Sequence, residues 1–178
     1  MNNYSKVLYF SKVWPMFKKS AASERIIGLI KIFNNSNKVV EFISTSKKPH
    51  SKDDALSLFP LAYGTTINPN NSLMINSLFS KKDRYQAEIA IFDSFLSEEV
   101  FSHHIYKKYP NMIRILDTQY LHSLKKLRED LFKAIINEKN INDLNLLDVI
   151  NEQPTLEDET HAREMASIFR SDLVLVVS

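Results

Sequence analysis

The chain has 178 residues, of which 44% are hydrophobic, and this predicts one well-buried domain over residues 1–178. It contains no cysteine, which excludes disulfides and thiolate metal sites. No apolar run approaches the roughly 20 residues that span a bilayer. The first six residues lack the charged-then-apolar layout of a signal peptide, so we expect a cytoplasmic protein.

The net charge is only +2, but it is unevenly distributed. Residues up to Lys52 include ten lysines and arginines against two acids, whereas the rest of the chain has thirteen basic and nineteen acidic residues. A basic amino-terminal third favours an anionic partner, such as phosphate or a lipid headgroup, and hence peripheral contact with the inner face of the membrane. We expect no nucleic-acid partner. Scattered surface lysines in a Lys- and Asn-rich sequence would give the same distribution, and this alternative stays open.

Short apolar runs alternate with segments of helical periodicity along the chain. The apolar runs predict strands over 6–11, 39–43, 65–67, 87–92, 112–116 and 173–177. The periodic segments predict helices over 21–33, 53–59, 73–79, 97–109 and 121–137. A last helix should follow the capping box at 155–158 and bury Ala162, Met165, Ala166 and Phe169. The Asn-rich stretch 140–154 is predicted to be an excursion between elements.

This alternation predicts the fold class. Strands that alternate with helices are typical of an α/β domain: a doubly wound, mostly parallel Rossmann-like sheet with helices on both faces. The run 173–177 is continuously apolar, as an interior strand would be. We therefore expect a further helix after Ser178, so that the sequence is a natural truncation or a separately encoded half.

The first strand-to-helix connection, residues 11–20, contains no glycine. The chain has only Gly28 and Gly64, which argues against both a dinucleotide fingerprint and a P-loop, and we expect no bound cofactor. Lys18, Lys19 and Ser20 stand at the start of the following helix, where one phosphate could bind. Trp14 could contact an amphiphilic ligand; the alternative is a surface loop with one packed tryptophan.

The stretch from Arg114 to Ser123 is the best candidate for chemistry. A strand that ends on Asp117 and passes through a short turn to His122 places both side chains at the carboxyl edge of a sheet, where ligands bind in such folds. A carboxylate beside an imidazole favours a general base. Alternatively, Asp117 caps the helix and His122 is a satisfied polar residue. Asp93 ends another strand and is predicted to line the same cleft.

We predict no metal site. His103 and His104 are adjacent, so they point to different sides of a helix. His161 has helical spacing with Glu157 and Glu164, but a solvated surface explains this spacing equally well.

Four blocks of sequence together resemble a known family. The sequence is similar to the amino-terminal domain of bacterial glycosyltransferases with two Rossmann domains, the GT-B type, group 1 or family 4-like. The resemblance spans nearly the whole chain and rests on Val13-Trp14-Pro15 with Ser20-Ala21-Ala22, on residues 91–101, on Asp117-Thr118-Gln119 with Leu121-His122-Ser123, and on residues 163–178.

The resemblance implies transfer of a hexose from a nucleotide sugar to a hydroxyl of a sugar or lipid-linked acceptor. It implies an acceptor-side domain in which residues 14–20 and His122 face the cleft. The nucleotide sugar would be the donor substrate, held mainly by a separately encoded carboxyl-terminal domain. The glycine-free first loop departs from the family pattern.

Two other functions stay open. One is a non-catalytic binding module that has kept the fold and lost the chemistry. The other is an oxidoreductase on the same fold, which the glycine-free first loop disfavours.

Overall fold

A computed structural model describes residues 5–80, 87–137, 151–155 and 157–176. Its six strands are β1 (Lys6–Ser11), β2 (Val39–Ser44), β3 (Ala62–Thr66), β4 (Ala87–Phe92), β5 (Ile113–Asp117) and β6 (Leu173–Leu175). Its helices are α1 (Ala21–Asn35), α2 (Ser72–Ser80), α3 (Phe95–Lys108), α4 (His122–Asn137) and α5 (Glu159–Arg170), with a short 3-10 helix over Ala55–Leu58. None of the helices in these ranges is long and apolar enough to cross a membrane.

The strands form one sheet in the order β3-β2-β1-β4-β5-β6, and every neighbouring pair is parallel. This confirms the predicted doubly wound α/β fold. The chain leaves β1 toward β2 on one side of the sheet and returns to β4 on the other. The direction of winding therefore reverses between β1 and β4, and in such folds the crevice at the carboxyl ends of these two strands is where ligands bind.

Strand β1 lies at the centre and is buried over its whole length. Its side chains alternate between two cores: Val7 and Tyr9 pack on the α1 face, and Leu8 and Phe10 pack on the opposite face with α2 and α3. Such continuous burial is expected for a parallel strand covered by helices on both faces.

Three predicted elements differ from the structure. The third strand is Ala62–Thr66 and not 65–67, and residues 53–59 contain only the single turn Ala55–Leu58. The buried Asp54 side chain caps this turn by accepting a hydrogen bond from Leu56 N at 3.0 Å. The last strand is Leu173–Leu175, and among the described residues it pairs only with β5. The predicted excursion falls largely on residues 138–150, which lie outside the described ranges.

Helix α5 matches the predicted orientation only in part, because Ala162, Met165 and Ala166 are partly buried but Phe169 is not. Phe169 is 81% exposed, whereas Glu164 and Ser167 are buried. The reason is polar complementarity with α3, because Arg170 and Ser167 both contact the buried Glu98 carboxylate, with Arg170 Nη2 at 2.6 Å. The predicted capping box is also wrong, since the N-cap is Asp158, which accepts a hydrogen bond from His161 N.

Candidate functional site at the carboxyl edge of the sheet

Asp93 lies at the point where the winding of the sheet reverses. It follows β4 directly and is 3% exposed, and its carboxylate accepts hydrogen bonds from Ser11 at the end of β1 and from Ser97 Oγ at 2.6 Å. Ser94 Oγ and the backbone of Lys12 also contact it. Burial raises the pKa of Asp93 above its ordinary value, and these hydrogen bonds oppose the increase. The chain's own donors thus occupy the carboxylate.

The Tyr9 hydroxyl lies near this network on the α1 face. It is fully buried and has no hydrogen-bond partner among the residues that the structure describes. Burial raises the pKa of Tyr9 well above its ordinary value, and the negative charges of Asp93 and Asp117 raise it further. The phenol therefore stays neutral beside two acids.

Asp117 ends β5 and is fully buried. Its carboxylate is held by Arg25 of α1, with Nε at 2.8 and 2.9 Å from the two oxygens and Nη2 at 2.7 Å from Oδ1. This hydrogen bonding raises the pKa of Arg25, so the guanidinium stays charged. The described hydrogen bonds of the Asp117 carboxylate come from Arg25, and they join α1 to the far half of the sheet.

His122 lies at the rim of the same edge, as the first residue of α4, and is half-buried. Its ring centroid lies 5.2 Å from that of Phe95, edge-on, and 4.4 Å from that of Tyr120. Burial lowers the pKa of His122 below its ordinary value of 6.5; the charge of Glu164 opposes this, and the charges of Lys125 and Lys12 reinforce it. A lowered pKa keeps the imidazole neutral at pH 7, as a base or hydrogen-bond acceptor must be.

The first turn of α4 is capped by a residue from a distant part of the sequence. Glu164 of α5 accepts hydrogen bonds from His122 N at 2.5 Å, Ser123 N at 2.9 Å and Ser123 Oγ at 2.5 Å. Glu164 is therefore the cap, where the sequence had offered Asp117 as one alternative. A protein carboxylate already satisfies the donors that could have bound a ligand phosphate here.

The first loop is packed onto the protein around Trp14, which is only 2% exposed. The indole Nε1 donates to Asp54 Oδ1 at 2.8 Å, and the ring packs edge-on against Phe42. Pro15 O accepts a hydrogen bond from Ala55 N, which ties the loop to the segment after β2. In this arrangement Trp14 is a packed core residue and is not presented to a ligand.

The three predicted phosphate-binding residues at the start of α1, Lys18, Lys19 and Ser20, are exposed. Lys18 has a φ of 49° and donates its backbone N–H to Glu24 Oε1 at 2.9 Å. Ser20 is the N-cap of α1 and accepts a hydrogen bond from Ser23 N at 3.1 Å. Local side chains therefore cap this helix start as well. An anion could still contact the exposed ammonium groups of Lys18 and Lys19.

A cavity of about 610 Å³ opens beside His122, at the carboxyl ends of β5 and β6. Its walls come from the β5–α4 turn, the first three turns of α4 and the end of β6. The lining residues are Thr118, Gln119, Tyr120, Leu121, Leu124, Lys125, Arg128, Glu129, Phe132 and Val176. Most of this wall is apolar, and Tyr120 belongs both to the cavity and to the ring contacts of His122.

The structure brings Asp93, Asp117 and His122 to one edge of the sheet, but it gives them different surroundings. Both acids are internally paired, and only the imidazole reaches the rim. Sequence reasoning missed Arg25 and Glu164, because each acts across more than 40 positions of sequence. The local sequence gave no signal for either residue, because its partner lies in another element. Among the described residues, no three His, Cys, Asp or Glu side chains are grouped as metal ligands.

Comparisons with known proteins found little at the level of sequence: no family model and no curated protein matches the chain. Among solved structures, the chain is similar to the lipopolysaccharide outer core galactosyltransferase WaaB in its apo form. The identity is 16%, the TM-score is 0.46, and the match covers 68% of this chain and 34% of that one. The chain therefore spans about a third of that protein's length. That protein is a glycosyltransferase, the class that the sequence resemblance indicates.

Proposed function

We propose that the chain is the acceptor-side domain of a glycosyltransferase, and that the rim around His122 binds the acceptor sugar. The observation that carries the proposal is the neutral, half-buried imidazole at the carboxyl edge, held between the Phe95 and Tyr120 rings. A neutral imidazole can accept a proton from a sugar hydroxyl or orient that hydroxyl. The partly exposed Tyr120 ring offers an apolar surface to the C–H face of a hexose.

The neighbouring cavity favours a lipid-linked acceptor. It begins at Tyr120 and continues along α4 over Leu124 and Phe132, with Lys125 at its edge. An apolar chain attached to the sugar would lie along this wall, and a phosphate between sugar and chain would meet the ammonium group. The nucleotide-sugar donor would be bound by a second domain, since the first loop lacks glycine and Trp14 fills it.

The proposal is tested by ligand-observed NMR with the chain alone. The probes are free hexoses of gluco, galacto and manno configuration and the corresponding octyl glycosides. We expect the octyl glycosides to bind more tightly than the free sugars, because the alkyl group buries apolar surface. We expect His122→Ala to weaken binding about tenfold, the loss that corresponds to one buried hydrogen bond.

The matched control is His103→Ala, which removes an exposed imidazole from α3 and should leave binding unchanged. The proposal is overturned if no glycoside gives saturable binding, or if His122→Ala binds as the unaltered chain does.

A second candidate is a non-catalytic binding module, and one observation favours it. The three carboxylates nearest the cleft, Asp93, Asp117 and Glu164, are all engaged by the chain's own donors. A module of this kind would retain the exposed Lys18 and Lys19 as its contact with an anion. It predicts that the double variant Lys18→Ala/Lys19→Ala loses binding to vesicles containing phosphatidylglycerol, whereas His122→Ala changes no measured binding.

A further inference from the structure

We infer that Glu164 is a positioning residue for His122, in that its carboxylate on α5 fixes the first turn of α4 and with it the imidazole at the rim. The inference rests on the proposed function for its consequence in acceptor binding, but its geometry stands independently. Glu164 is 5% exposed and lies between two helices, so its contacts are shielded from water.

The cap differs in origin from the caps of the neighbouring helices. Ser20 caps α1 and Asp158 caps α5, each through a backbone N–H three residues further along its own chain segment. For α4 the acceptor comes from 42 positions away, and one of its donors is the backbone N–H of His122 itself. The place of His122 at the rim therefore depends on how α5 is docked.

The docking of α5 is held by ionic contacts outside the site. Arg170 binds Glu98, and Arg163 binds Glu99 with Nη2 at 2.7 Å from Oε2. These contacts set the position of α5 against α3, and the position of α5 sets Glu164. Residues on three helices thus determine where a single imidazole lies.

The charged and titratable groups around His122 come from several elements. Glu164 approaches from α5, Lys125 from α4 and Lys12 from the loop after β1. His161 of α5 contacts the residue after His122, with Nδ1 at 3.2 Å from the Ser123 hydroxyl. The Arg163 guanidinium lies over the Phe95 ring, which itself contacts His122. Of these groups, Glu164 alone is negative and raises the affinity of the imidazole for a proton.

The experiment replaces this charge and follows His122 directly. In Glu164→Gln the side-chain size is kept, but one acceptor oxygen and the negative charge are lost. The readout is the NMR titration of the His122 ring, assigned among the five histidines by comparison with His122→Gln. We expect the titration midpoint to fall below that of the unaltered chain, and the Ser123 amide to lose protection from hydrogen exchange.

Affinity for octyl glycosides should fall in the same variant, by less than the roughly tenfold expected for His122→Ala, because the imidazole is displaced and not removed. The matched control is Glu98→Gln, which removes another buried carboxylate that anchors α5 without contacting α4. It should lower the stability of the chain and leave the His122 midpoint in place, because the second ion pair, Arg163–Glu99, still docks α5 and the Glu164 cap is intact. Glu164→Asp keeps the charge but retracts it by one methylene, and should give an intermediate midpoint.

An unchanged His122 midpoint in Glu164→Gln overturns the inference, and so does an equal shift in Glu98→Gln. If Glu164→Gln does not fold, the midpoint in Glu164→Asp decides instead: a lowered value supports the inference and an unaltered one overturns it. If no glycoside binds the unaltered chain, the proposed function fails while the ring titration still decides the role of Glu164.

Discussion

Asp93 is the centre of a buried hydrogen-bond network, and the raised pKa of its carboxyl indicates that the ionised form is disfavoured there. Four donors surround its carboxylate, yet burial dominates and raises its pKa. Above that raised pKa, the folded chain has to keep a charge in a site where water is excluded. The hydrogen bonds from Ser11 and Ser97 offset only part of this cost.

The expected result of Asp93→Asn is higher stability at neutral pH. An acid whose folded pKa is raised keeps its proton in the folded state at a pH where the unfolded chain has lost it, so stability falls as pH rises through this window. Asparagine has no charge to bury, and its amide can still bond to the serine hydroxyls. In urea unfolding, the free energies of unfolding of the two chains should converge below pH 3.8, the ordinary aspartate pKa, and the variant should be the more stable at pH 7.

Ser97→Ala is the matched control, since it removes a donor to the same carboxylate and should destabilise the chain most at neutral pH. An Asp93→Asn variant less stable than the unaltered chain at pH 7 would mean that the ionised carboxylate is favourable where it lies.

His122 and Asp93 could be found from the sequence, because each follows an apolar run at a strand end and the parallel fold brings such ends together. Their partners could not be found in the same way. Arg25 and Glu164 lie in helices whose local sequence gives no reason to connect them with β5 or α4. Which face of a helix is buried depends on the neighbouring helices, and these are fixed only when the whole chain has folded.

Helix α5 shows this limit at the scale of an element. Its apolar residues have helical spacing, so periodicity alone assigned them to the core. In the structure those residues are at most partly buried, and the most buried positions are Glu164 and Ser167, because α3 and α4 present Glu98 and two backbone donors there. Amphipathic periodicity predicts that a helix exists more reliably than it predicts which side packs.

The contact between the first loop and β3 depends on one glycine. Gly64 lies beneath the Trp14 ring, and a Cβ at this position would lie 2.6 Å from Trp14 Cζ2 and 2.7 Å from Leu56 Cδ1. Both neighbours are buried and packed, so neither can move freely. The absence of a side chain at Gly64 is thus what allows the indole to lie against the strand.

Gly64→Ala should therefore destabilise the chain by about 1–3 kcal/mol, the usual cost of overpacking a core. It should also shift the emission of Trp14, the one tryptophan of the chain, to the red as the indole is displaced toward water. Thermal unfolding and fluorescence spectra measure the two effects.

Gly28→Ala is the matched control, because nothing lies within 4 Å of the added Cβ and the position is inside α1. Alanine there should raise stability by roughly 0.5–1 kcal/mol through helix propensity, with the emission unchanged. Equal behaviour of the two variants would show that Trp14 does not depend on the space at Gly64.

The whole molecule combines the strand order of a dinucleotide-binding fold with a crevice that its own side chains fill. Between β1 and β4, where a pyrophosphate would approach a glycine-rich turn, the hydroxyls of Ser11 and Ser97 donate to the Asp93 carboxylate. The loop after β1 is fixed by Trp14, whose indole N–H donates to Asp54. The first strand-to-helix connection thus provides rigidity, and the accessible chemistry lies further along the edge, around His122.

It follows that the chain should not bind NADH, although its sheet has the order typical of dehydrogenases. Energy transfer from Trp14 to the nicotinamide gives a direct assay, since no other tryptophan contributes. We expect no saturable transfer up to about 1 mM NADH, the range of binding too weak for a specific cofactor. A known dehydrogenase serves as the positive control. Saturable transfer at micromolar NADH would require the Ser11–Asp93 network to open, and the function would then have to be sought at β1 and not at His122.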